Sequence, residues 1–149
     1  MRTRIFSFVW VLRLVLRLGL AGLFVVAGVL KLDDPSRFAL EIANYQLFPV
    51  LAPFVAIGMP ATEIVVGLGL VFLPKLWRQA AATLLAAMMA IFLFAVSSAL
   101  VRNVNIDCGC FGGSESPIGP WTVVRNVVLL ALALLVVWLE RPRRTDERR

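Results

Sequence analysis

The sequence predicts an all-α membrane protein: a four-helix transmembrane bundle, a short interfacial helix between helices 1 and 2, and both termini cytoplasmic. Three observations predict it: an apolar composition, four long apolar stretches and a lopsided distribution of basic residues. Of the 149 residues, 60% are hydrophobic and 16% charged, whereas soluble domains carry about a quarter charged residues and just under half apolar ones. That excess would leave apolar surface in water with nothing to cover it, and lipid is the cover expected. The length suits a single domain over residues 1–149.

A membrane span needs about 20 mainly apolar residues. Four stretches qualify, at about 14–30, 50–73, 79–101 and 121–139. Each is bounded by charge, Pro or Gly, as helix ends are. Arg2 and Arg4 before the first stretch imitate the start of a signal peptide. The apolar run, however, outlasts an h-region of roughly 7–15 residues and reaches Lys31 without a small-x-small cleavage site, so it is expected to stay as a helix. After it, Lys31-Leu-Asp-Asp-Pro35 breaks the helix. Asp34 suits a helix cap and Pro35 a first turn. Phe38, Ile42 and Tyr45 then share a face, which predicts a short amphipathic helix in the outer interface. A bundle lid is preferred over a partner-docking surface, because the stripe is short. On the third span, Ala82, Ala86 and Ala90 recur every four residues, a face that lets backbones approach.

The formal charge of +6 suggests nucleic acid in a soluble protein. Here the basic residues sit at span ends, so they are read as topology signals and no nucleic acid is expected. One side collects 11: Arg2, Arg4, Arg13, Arg17, Lys75, Arg78, Arg141, Arg143, Arg144, Arg148 and Arg149. The other has 4: Lys31, Arg37, Arg102 and Arg125. The richer side is expected to be cytoplasmic, which turns the loops around Asp33 and Cys108 outward. Trp10, Trp77 and Trp138 fall at the inner interface and Trp121 at the outer one, where such rings anchor helices. There is no histidine, and two cysteines cannot supply a four-thiolate zinc site, so no metal site is expected. No repeat, low-complexity linker or phosphate loop is found.

Glu63 is the acidic residue inside a predicted span, and a charge near mid-membrane requires a partner or a proton. Counting from the outer helix ends puts Arg17 at comparable depth, which predicts an Arg17–Glu63 pair, with Arg13 as the lesser candidate. A pair that fixes helix register is preferred; a proton relay or a polar contact to a quinone headgroup are the alternatives, and a quinone is the one cofactor this reading admits. Arg125 and Asn126 lie about one turn into the fourth helix, beneath the cysteine loop. They are expected to bond loop carbonyls, with electrostatic support of a thiolate as the alternative.

Both cysteines lie in the outer loop, Arg102-Asn-Val-Asn-Ile-Asp-Cys-Gly-Cys-Phe-Gly-Gly113. Gly109 lets the backbone bend enough for Cys108 and Cys110 to bond. A structural disulfide stabilises by closing a long loop, and a three-residue ring yields only about 1.6 kcal/mol before strain. Strained, exposed disulfides are the labile and catalytic ones. Redox exchange is therefore preferred over a structural pair or shared metal binding. Asp107 disfavours a thiolate at Cys108, while Arg102 or Arg125 opposes that effect. Which sulfur attacks stays open at this point.

Further residues carry a family resemblance. They are Arg17-Leu-Gly-Leu-Ala-Gly-Leu-Phe24, Ala27-Gly28-Val-Leu-Lys31-Leu-Asp-Asp-Pro35 with Phe38, Ile42, Tyr45 and Pro49, then Pro60, Glu63 and Gly67, then Asp107-Cys-Gly-Cys-Phe-Gly112, Pro117-Ile-Gly and Arg125-Asn126. Together they resemble the MauE branch of the DoxX-like membrane proteins. The resemblance implies a multi-pass protein of the bacterial plasma (inner) membrane, linked to methylamine metabolism. It implies a redox maturation factor for the disulfide-rich small subunit of methylamine dehydrogenase, acting beside a thioredoxin-like extracytoplasmic partner. By motif position, Cys108 and Cys110 are the exchanging pair. The competing expectation is a non-catalytic assembly subunit, or a DoxX-like component of a redox complex; a small-solute transporter using Glu63 ranks third.

Overall fold

The computed structural model describes residues 2–102 and 119–141, with side chains from residue 10 onward. Its helices are α1 (Arg2–Asp33), α2 (Pro35–Asn44), α3 (Ala52–Phe72), α4 (Lys75–Val101) and α5 (Pro120–Glu140), with a 3₁₀ turn at Pro49–Leu51 before α3. Four stretches, Trp10–Asp33, Pro49–Phe72, Lys75–Val101 and Pro120–Glu140, are long and apolar enough to cross a membrane. The predicted spans are all there, with ends displaced by a few residues. α4 starts earlier than expected, directly after Pro74, because Pro blocks continuation of α3 but sets up the next helix.

Local chemistry explains the short helix. The Asp34 carboxylate accepts a bond from the Arg37 backbone N–H at 2.9 Å, and Pro35 occupies the first turn. Phe38 and Tyr45 point inward and are buried, so the apolar stripe of α2 is spent on the bundle. α5 opens similarly, with Gly119 as cap, Pro120 in the first turn and the Thr122 hydroxyl accepting from the Gly119 N–H.

α1 packs along α3 and α4 along α5, and α3·α4 and α1·α5 contacts close the bundle. Its core joins Leu20, Ala21 and Phe24 of α1, Val66 and Leu70 of α3, Ala82, Leu85 and Met89 of α4, and Ala133 and Val136 of α5. Many large apolar side chains face outward along all four long helices, as expected where lipid is the solvent. Trp10, Trp77 and Trp138 are exposed at one end of the bundle and Trp121 at the other. The alanine stripe of α4 is only partly used: Ala82 and Ala86 are buried, but Ala90 is exposed.

At two glycines the backbones of α1 and α3 approach closely. A Cβ on Gly28 would stand 2.8 Å from the Pro60 carbonyl oxygen, and one on Gly67 would stand 3.0 Å from the Ala21 carbonyl oxygen. Each glycine faces the backbone of the other helix, which fixes how far the two are staggered. Gly28→Ala is expected to force them apart at a cost of about 1–3 kcal/mol, read as a lower unfolding midpoint in detergent. Gly22→Ala is the control, since its Cβ would meet nothing within 4 Å.

Candidate functional site

The stagger decides which charges meet. Gly28 lies level with Pro60–Ile64, and Gly67 with Ala21–Val25. Lys31 therefore stands about one turn from Glu63, within reach of its four-carbon stem. Lys31 Nζ donates to Glu63 Oε1 at 2.6 Å, and the two side chains are only 4% and 1% exposed. The Phe38 ring covers the ammonium at 5.4 Å, a cation–π contact supplied by α2.

This corrects the expected Arg17–Glu63 pair. Depth counted from each helix's own outer end assumes that those ends are level, and they are not. α3 and its 3₁₀ turn project well past Lys31, and α2 covers the projecting part. Arg17 falls about ten residues, or ~15 Å, beyond the level of Glu63 toward the opposite end. There it shares an electrostatic neighbourhood with Arg13, Arg78 and Glu140. Arg78 Nε meets Glu140 Oε2 at 3.1 Å, tying the start of α4 to the end of α5. Glu140 is 2% exposed, a buried acid the sequence reading left out because it adjoins the basic tail.

Three of the four residues expected in the polar network do meet. Glu63, Arg125 and Asn126 line one cavity of about 30 Å³, together with Lys31, Met59 and Phe92. That volume holds one or two waters. Asn126 is buried, and its Nδ2 donates at 2.7 Å to the Thr122 carbonyl one turn earlier in its own helix. Among the described residues, Glu63 Oε2 has no hydrogen-bond partner. In the sequence Lys31 counts as a topology charge and as part of the Ala27–Pro35 motif, with no pairing to Glu63 expected. A usable signal was its position three residues after Gly28, on the same helix face.

Cys108 and Cys110 lie outside the described residues. The last described residue before them is firmly held: Arg102 donates from its NH2 group to the Tyr45 carbonyl at 2.6 Å and from Nε to the Ser98 carbonyl at 3.2 Å. Tyr45 packs with Val96 and Ala99 of α4, and burial with the nearby Glu41 charge pushes its phenol above the usual range. The tyrosine is thus neutral at physiological pH.

Four apolar helices around a buried ion pair, with a dithiol sequence between α4 and α5, define a multi-pass helical membrane protein. The family model for methylamine utilisation protein MauE matches residues 8–139, and the chain belongs to that family. It is 39% identical over 124 residues to methylamine utilization protein MauE of Paracoccus denitrificans, covering 81% of this chain and 66% of that one. It is 36% identical over 122 residues to the protein of the same name from Paracoccus versutus, covering 80% of this chain and 64% of that one. The chain thus spans slightly under two thirds of the length of each relative. No solved structure matches it.

Proposed function

We propose that this protein is a thiol–disulfide maturation factor of the bacterial inner membrane, exchanging the Cys108–Cys110 disulfide with an extracytoplasmic thioredoxin-like or substrate protein. The observation that carries the reading is the dithiol itself: two cysteines separated by one glycine, the only two in these 149 residues, in a segment expected on the side poorer in basic residues. Charge asymmetry supports an outward-facing loop and cytoplasmic termini, and disulfides persist in that compartment. The names of the relatives support a role in methylamine utilisation, and methylamine dehydrogenase maturation is the form of it proposed here.

The chemistry balances without an added reagent. A partner thiolate attacks one sulfur of the Cys108–Cys110 bond, a mixed disulfide forms and the other cysteine leaves as thiolate. A second partner thiol then displaces the mixed disulfide, so the partner is oxidised and the Cys-Gly-Cys pair reduced. The Lys31–Glu63 pair serves this reading by holding α1 on α3, and the Arg102–Tyr45 bond by holding the root of the loop.

Single Cys108→Ser and Cys110→Ser variants test the reading through the reverse step: the remaining thiolate attacks the oxidised partner's disulfide, one partner sulfur leaves as thiolate, and the missing cysteine cannot resolve the mixed disulfide that results. One of them is expected to accumulate a reducible adduct with an extracytoplasmic protein. If neither does, the alternative gains: a non-catalytic assembly subunit whose loop only docks a partner.

A further inference from the structure

A groove of about 600 Å³ lies between α2, α3 and α4, beside the polar cavity. Phe38, Phe54, Met59, Met88 and Phe92 make its walls, and Glu41, Tyr45 and Thr62 supply its few polar atoms. Met59 and Phe92 line both spaces, so they form the partition between the groove and the Lys31–Glu63 pair. Phe54 and Ile91 on its flanks are 76% and 70% exposed, which in a bilayer means exposed to lipid. The groove therefore has the shape of an amphiphile site: mostly apolar, entered from the membrane, with Glu41 and Tyr45 on the α2 side and Thr62 on α3. Tyr45 on that side holds Arg102, and Cys108 follows six residues later.

We infer that this groove binds a lipid-soluble quinone, its ring toward α2 and its apolar tail leaving between α3 and α4. The choice of occupant rests on the thiol-exchange reading. A dithiol that oxidises a partner is left reduced, and these 149 residues contain no second cysteine pair to take the electrons. A lipid-soluble acceptor can take them, and the groove opens on lipid. In the step, the Cys108 and Cys110 S–H bonds break and the S–S bond forms. The two electrons and two protons pass to the quinone oxygens, giving the quinol.

The full chain in phosphatidylcholine nanodiscs, labelled with an azidoquinone bearing a decyl tail, tests the inference. Labelling is expected on groove residues such as Met59 and Phe92, and excess decylubiquinone is expected to displace it. Gly58 lines the groove, and a Cβ there would meet nothing within 4 Å. Gly58→Leu fills the space without a backbone clash and is expected to lower labelling at least tenfold. Gly22→Leu, equally open but on α1 away from the groove, leaves labelling unchanged. Labelling that Gly58→Leu does not reduce overturns the inference. So does labelling that decylubiquinone fails to displace, which assigns the groove to phospholipid chains. The Cys108→Ser/Cys110→Ser double variant separates this inference from the one beneath it. Labelling that persists there supports the groove site, even where quinone fails to oxidise the reduced wild-type thiols and the exchange reading falls. Adduct trapping without labelling overturns the groove site alone.

Discussion

Lys31→Met is expected to destabilise the bundle by about 3–5 kcal/mol, the cost of removing one partner from a buried ion pair. The reason is asymmetric. Lys31 and Glu63 meet at 2.6 Å with side chains 4% and 1% exposed, so neither can turn to solvent when the other is removed. The change leaves a carboxylate among Phe24, Met59 and Phe92 with the Lys31 hydrogen bond gone. Glu63→Leu should be costly for the mirror-image reason, stranding an ammonium under the Phe38 ring. Combining the two, Lys31→Met with Glu63→Leu, removes both charges and should recover most of the loss, because buried pairs often do little better than apolar residues of similar volume. Unfolding midpoints in detergent for the two single variants and the double variant close the cycle. Additive losses would show that the residues act independently. Arg17→Met provides the contrast: it lies at the opposite end from Glu63, so its effect should add to that of Glu63→Leu without coupling.

The second large effect separates stability from chemistry. Cys108→Ser with Cys110→Ser is expected to abolish thiol exchange and partner maturation while membrane levels stay normal. A disulfide between the two would close a ring of three residues, and its loop-entropy contribution would be at most about 1.6 kcal/mol. A staple of that size cannot account for a large fall in stability, whereas loss of both sulfurs removes every exchange step. Maturation assays in membranes carrying the double variant, paired with its unfolding midpoint, give the two readings together. Full maturation by the serine variant sinks the redox role. A collapse in stability with maturation by the surviving protein unchanged would mean that the disulfide is structural.

Much of the architecture was legible in the sequence because membrane helices obey a simple physical demand. Inside lipid every backbone group must be bonded within the segment, so a long apolar run becomes a helix whatever surrounds it. The four spans, the Asp34–Pro35 helix start and the end placement of the tryptophans follow from local chemistry of this kind. The need for a partner at Glu63 was equally legible, since a charge in lipid is costly wherever it points. The identity of that partner was not. Counting along each helix puts Arg17 opposite Glu63, and only the contact of Gly28 with Pro60 shows that α1 and α3 are staggered so that Lys31 arrives instead. Ala90 teaches the same point: small-residue spacing marked a face, but the turn of α4 against its neighbours leaves that residue outside.

By itself, then, the sequence determined that this protein is a four-span helical membrane protein with a buried acid and a Cys-Gly-Cys motif, because hydropathy, capping and spacing act over a few residues. Tertiary structure alone decided that Lys31, Glu63, Arg125 and Asn126 share one small cavity, that Arg78 closes on Glu140, and that a lipid-facing groove lies behind Met59 and Phe92. Those facts depend on how far one helix slides and turns against another. Backbone contacts at two glycines set that quantity for α1 and α3, and no single helix encodes it.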